Sequence, residues 1–227
     1  MHQPGIPADL DTPARMWARA ATLAVLAAAG LSFDEMTLSD RGVYSWWGGG
    51  SVWWRLTLAP GGEAVLVGQD SDASSTHPAA GGGARDLLAG MPDRLAYPGL
   101  RADLDDFLVC FAYWFTDGSW HRVDYPAEVL DDGLKGAVGC LHDDAGAVRH
   151  ALEMNGLDHH PEAEAAIDGF LRLAHGRAVD ADAVSSMVTL VAAASPDFEG
   201  ERPDTGKALE VAQRAGLGPT QGPPLLS

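Results

Sequence analysis

Four tryptophans within nine residues, Trp46-Trp47-Gly48-Gly49-Gly50-Ser51-Val52-Trp53-Trp54, constrain this chain more than any other feature. Three consecutive glycines between two pairs of bulky aromatics break a helix and allow a tight reversal, so the segment predicts a β-hairpin. Alternate side chains of a strand point to opposite faces. In the second arm Val52, Trp54, Leu56 and Leu58 therefore share one face, and Ser51, Trp53, Arg55 and Thr57 the other. The first set reads as core. On the second, a large aromatic stands beside a guanidinium. It is either covered by a packed helix or loop or left as an exposed anchor of the kind enriched at binding hot spots. Trp46, Trp47, Trp53 and Arg55 are accordingly candidate contact residues.

The hairpin extends into a meander of Gly42 to Trp47, Ser51 to Ala59 and Glu63 to Gln69, with Pro60-Gly61-Gly62 as the second turn. Ahead of it, Ser32 and Glu35 have capping-box spacing and predict a short helical turn. Asp70 to Gly83 has no periodicity and predicts a mobile loop, whereas Asp86 to Gly90 predicts a short helix stopped by Gly90 and Pro92. A second hairpin follows. Phe107 to Phe115 is almost wholly apolar, Asp117-Gly118 favours a type I′ turn, and Ser119 to Tyr125 returns. A two-residue turn pairs Thr116 with Ser119, Phe115 with Trp120 and Trp114 with His121. Because both faces of the Phe107 arm are apolar, it belongs in a sheet covered by helices on both sides.

Helix signals flank these strands. Thr12 and Pro13 read as N-cap and first helical position, Gly30 as the stop, and Met16, Ala20, Leu23 and Ala27 share a face between them. Arg15 and Arg19 before the run Ala20 to Ala29 could open a signal peptide, but Asp9 and Asp11 and the cap favour a core helix. Pro161 opens a helix with the stripe Ala163, Ile167, Phe170, Leu171 and Ala174. Val184, Met187, Val188, Val191 and Ala194 repeat it behind Asp180, and a last helix spans about Lys207 to Ala215. The expected architecture is a single α+β domain over residues 1–215. An antiparallel sheet of about five strands within 42–125 is covered by helices, a helical section fills 144–215, and 216–227 form a disordered tail.

Charge narrows the partners. With 32 acidic and 15 basic residues the net charge is -17, which repels nucleic acid and anionic membrane and attracts basic proteins. No segment reaches the roughly 18 apolar residues of a membrane span. Two cysteines, Cys110 and Cys140, are too few for a disulfide framework. A cytoplasmic protein that carries no cofactor and binds a protein partner is the expectation.

Several clusters are candidates for chemistry. Asp70-Ser71-Asp72-Ala73-Ser74 resembles the opening of a calcium loop, but an EF-hand needs glycine at Ser75 and glutamate at Gly81. Asp70, Asp72 and His77 nonetheless gather at a strand end next to the tryptophan hairpin and are candidate ligand contacts. His142, Asp143 and His159 invite a metal-hydrolase reading, since imidazole and carboxylate can hold a divalent metal that activates water. Trp114, Trp120 and His121 form either an aromatic pocket or core. Gly81-Gly82-Gly83 is no phosphate cradle, because no Lys-Ser/Thr follows.

The His142-Asp143 pair resembles that of HD-type phosphohydrolases, but Ala145-Gly146 stands where that family commonly has Gly-Lys. The run WWGGGSVWWRLTLAPGGEAVLVGQDSD, with DLLAGMPD after it, resembles a group of uncharacterised actinobacterial proteins over about a fifth of the chain. That resemblance implies no activity. The helices around an antiparallel sheet are similar to SUKH-type toxin-immunity proteins, which implies a protein partner. A non-enzymatic interaction protein, immunity or regulatory in kind, is therefore the leading expectation, with a metal-dependent hydrolase or small-ligand binder second.

Overall fold

A computed structural model describes residues 1–32, 35–76, 85–105, 109–157, 159–195 and 202–226. The fold is α+β, and among the described residues it is built on one six-stranded, wholly antiparallel sheet in sequence order. Its strands are β1 (Glu35–Ser39), β2 (Gly42–Trp47), β3 (Val52–Leu58), β4 (Ala64–Asp70), β5 (Phe111–Thr116) and β6 (Ser119–His121). Among the described residues the helices are α1 (Pro13–Ala28), α2 (Leu100–Asp105), α3 (Leu134–Val138), α4 (Asp144–Glu153), α5 (Pro161–His175), α6 (Ala181–Ala194) and α7 (Thr205–Arg214).

The expected register of the second hairpin holds. Thr116 pairs with Ser119, Phe115 with Trp120 and Trp114 with His121, around a turn whose Asp117 and Gly118 have φ of 52° and 80°. Both values are positive, as a type I′ turn requires. The tryptophan hairpin closes with Trp47 opposite Val52, and Gly49 and Gly50 carry the positive φ of its reversal.

Two packed layers cover the sheet, one on each face. Val52, Trp54, Leu56, Leu58, Leu66, Phe111 and Tyr113 enter the larger core beneath α1 and the C-terminal helices. The stripe of α5 is buried at all five expected positions, as are Val184, Met187, Val188 and Val191 of α6. On the opposite face Trp53, Val65, Val67, Ala112 and Trp114 form a smaller core under Leu87, Leu88, Leu95, Tyr97, Leu100 and Leu104.

Four expectations are corrected. Glu35 does not belong to a capping box: it opens the edge strand Glu35–Ser39, which joins the sheet of about five strands that was expected. Its alternation of polar and apolar side chains suits a half-buried strand. Asp86 to Gly90 forms hydrogen-bonded turns, with Ala89 N–H donating to the Asp86 carbonyl and Met91 N–H to that of Leu88, and not a helix. The return strand of the second hairpin ends at His121 and does not reach Tyr125. The smaller core is roofed chiefly by turns of residues 85–99 and by α2, not by long amphipathic helices. For the tail expected to be disordered, the structure gives a path: Leu217 is buried and Leu226 N–H donates to the Leu58 carbonyl at 2.7 Å.

Candidate functional site

Strand pairing lines up one row of side chains across four strands. Glu35 stands opposite Trp46, Trp46 opposite Trp53, and Trp53 opposite Gln69. Directly paired residues point to the same face, so a carboxylate, two indoles and an amide follow one another. The adjoining row on this face runs Thr37, Tyr44, Arg55, Val67. The roof over the smaller core stops short of β1, and burial changes along the row accordingly. Trp53 is 8% exposed, Trp46 40%.

At that boundary lies a cleft of about 290 Å³, lined by Tyr44, Trp46, Gly50, Trp53, Arg55, Gln69 and Asp103. Arg55 is held inside it, its guanidinium 5.3 Å from the Tyr44 ring centroid and 4.0 Å from an Asp103 carboxylate oxygen. Tyr44 and Trp53 lie with centroids 6.0 Å apart. Burial pushes the Tyr44 phenol above its ordinary value, the Arg55 charge opposing and Glu35 and Asp103 adding. At neutral pH the phenol is a hydrogen-bonding group and not a base. Gln69 is buried at the floor, where Nε2 donates to the Ser51 carbonyl at 3.4 Å and Oε1 finds no partner.

The expected contact residues separate. Trp46 and Arg55 line the cleft, and Trp53 forms its covered wall. Trp47 points to the other face, half-buried against the larger core, as strand alternation demands. Trp114 and Trp120 are each 6% exposed, in different cores. Trp120 donates its indole N–H to the Asp11 carbonyl at 2.7 Å, and His121 stacks on Trp114 at 6.3 Å. They form no open aromatic pocket.

Asp70 is the last residue of β4, paired with Val52, and its carboxylate holds the turn that follows. It accepts from Ala73 N–H at 3.1 Å and packs against Gly133 and Gly136, while Asp72 is exposed and His77 lies outside the described residues. His142, Asp143 and His159 do not converge either. His142 Nδ1 lies 2.9 Å from the Asp9 carbonyl oxygen, and Asp143 caps α4 by accepting from Gly146 N–H. His159 sits on a separate groove of about 470 Å³ with Arg149, Glu153, Glu164 and Asp168. Among the described residues no three His, Cys, Asp or Glu side chains form a potential metal cluster, and no helix is long and apolar enough to cross a membrane.

Sequence reasoning missed Tyr44, Glu35, Gln69 and Asp103. Tyr44 was within reach, since it lies two residues before Trp46 and so shares its face. Placing Glu35 required recognising β1. Asp103 comes from a roof segment whose docking leaves no local signal. In comparisons with known proteins, no family model, curated protein or solved structure matches this chain.

Proposed function

We propose that this chain is a binding module that takes a basic protein partner on the open part of the sheet face around Trp46, in a regulatory or immunity role whose activity is binding itself. The observation that carries the reading is the exposed Trp46 indole, placed beside Tyr44 and Arg55 and next to a strand that, among the described residues, is paired on one side only. A large amphipathic ring with a neighbouring guanidinium is hot-spot chemistry, and a free strand edge offers main-chain hydrogen bonds to an incoming segment. The net charge of -17 favours encounter with a basic surface.

Photo-crosslinking tests this. A benzophenone amino acid at exposed Thr37 should crosslink one basic protein in cells. The crosslink should disappear with Trp46→Ala, and the same group at exposed Gln213 on α7 should give none. Identical crosslinks from both positions, or a Thr37 crosslink that survives Trp46→Ala, would overturn the proposal.

A further inference from the structure

We infer that the end of the sheet carries a pocket for an uncharged, largely apolar small molecule, closed by residues 223–226 as a lid. The site goes beyond the partner-binding role and is independent of it, because it lies at the Leu58 end of β3, away from the tryptophan turn. The start of α1 brings Pro13 and Ala14, β3 and the residue after it bring Leu58 and Ala59, and β5 brings Phe115. Leu58 and Phe115 flank Ala64 in one row of the sheet and so share a face. Pro223 and Leu225 of the lid form the remaining wall. Together these groups bound about 380 Å³. An apolar cavity of about 150 Å³ already holds benzene, and small-molecule pockets begin at about 300 Å³. The space therefore suits about two fused rings or a chain of similar bulk.

Charge sets the ligand class. In a chain of net charge -17, Glu63 is the one charged residue on this pocket's wall among the described residues. Arg94 engages both its oxygens, with Nε donating at 2.8 Å and Nη2 to the other oxygen. An ion entering the pocket would give up hydration with no free counter-charge to replace it. Apolar surface gains by leaving water. One further polar group stands on the wall: Thr12, whose side chain makes no cap bond to α1. Its hydroxyl can bond a single N–H or oxygen of the ligand.

The lid is lightly held. Residues 216–226 carry no charged side chain and include Pro219, Pro223 and Pro224. Their first half is tied down by Val179 N–H, donating to the Leu217 carbonyl at 3.1 Å, and by Arg177 Nη2, donating to the Gln221 carbonyl at 2.7 Å. Pro223 then backs onto Gly216, where a Cβ would collide with it. Beyond that pivot one hydrogen bond to the rest of the chain remains among the described residues, from Leu226 N–H to the Leu58 carbonyl at 2.7 Å. Leu226 packs on the smaller core, whereas Leu225 is 48% exposed at the pocket. A segment with so few bonds opens at far lower free energy than the sheet it covers. A ligand in the pocket gives Leu225 the apolar contacts it lacks.

The test uses the full chain and tryptophol, an uncharged bicyclic alcohol. Tryptophol should bind saturably, shifting the NMR signals of the Phe115 ring and the Leu225 methyls and leaving those of Trp46 and Trp114 unmoved. Tryptamine and indoleacetate, of similar size but charged, should bind at least about tenfold more weakly. Ala14→Phe, at an exposed position, fills the space and should weaken tryptophol at least about fivefold. Leu225→Asp, which puts a charge on the lid without touching either core, should do the same. The latch supplies a readout that loose hydrophobic adhesion would not move. Because the closed lid is the state that binds, amide exchange at Leu226 should slow about tenfold with tryptophol at about ten times its dissociation constant. Scattered, unsaturable shifts, equal binding of the charged probes, indifference to Ala14→Phe, or unchanged Leu226 exchange would each overturn the inference.

Discussion

Trp46 and Trp53 stand directly opposite each other on β2 and β3 with side chains on one face, yet Trp46 is 40% exposed and Trp53 8%. Neighbours in the ladder thus divide two tasks. Trp53 closes the smaller core under the roof of residues 85–105, and Trp46, one strand nearer the edge, is left in solvent. The boundary between them is the cleft wall.

Truncating the two rings should therefore cost very different amounts of stability. Trp53→Ala should cost about 3 to 5 kcal/mol, the range for removing a buried aromatic. Trp46→Ala should cost about 1 kcal/mol or less, as partly exposed positions do. Urea denaturation measures both. Equal losses would show that the two indoles share one packed environment.

Gly68 separates steric space from backbone conformation. A Cβ there would lie 2.5 Å from Phe111 Cζ and closer still to the Trp53 carbonyl oxygen. Gly68→Ala should destabilise by about 2 to 3 kcal/mol through overpacking. At Gly61 a Cβ would meet nothing within 4 Å, but φ is 77°. Gly61→Ala should cost only about 1 kcal/mol, from the left-handed backbone alone. Thermal unfolding of both variants ranks them.

How much of this was legible in the sequence follows from the range of each interaction. The Asp117-Gly118 turn and the pairs beside it are set by adjacent residues, and so is the stripe of α5 from Ala163 to Ala174. The sorting of Trp53 and Trp54 to opposite cores follows from the two-residue period of a strand. Exposure of Trp46 relative to Trp53 does not, because it depends on where a roof some fifty residues later in the chain stops. Arg19 gives the same lesson. Locally it resembles a charge preceding an apolar run, but in the fold it is 1% exposed and bonded to groups more than a hundred residues away.

Cys110 should behave as an inert thiol. It is fully buried, and burial pushes its thiol up to about 11 despite the Ser74 and Thr76 hydroxyls, which act in the other direction. At pH 8 roughly one thiol in a thousand is then ionised, and the thiolate is the nucleophile. Iodoacetamide should label half-buried Cys140 first and reach Cys110 only after unfolding in urea, as peptide mass spectrometry would show. Rapid native labelling of Cys110 would contradict its burial.

Arg19 makes acid stability predictable in sign. Its Nε donates to Asp144 at 2.7 Å, Nη1 to the Leu141 carbonyl at 2.9 Å, and Nη2 to Asp11 at 2.7 Å, tying α1 to the N-terminus of α4. Burial alone would raise both carboxyls, but hydrogen bonds outweigh it and hold them below the ordinary range. These come from Thr12 N–H and Arg19 for Asp11, and from Arg19 and His175 for Asp144. A folded-state value below the unfolded one contributes stability above the unfolded pKa, about 4, which is lost as pH falls through the folded value. Unfolding free energy from urea titrations should therefore lose this contribution progressively below about pH 4. Arg19→Met keeps the stem but leaves both carboxylates facing a buried methionine. It should cost about 2 to 3 kcal/mol at pH 7, below the fully buried range because Asp11 and Asp144 remain 27% and 31% exposed. The gap between wild type and variant should narrow as pH drops from 5 to about 2, since protonated partners no longer reward the guanidinium. A gap constant across that range would show that Arg19 stabilises by packing and its carbonyl contacts alone.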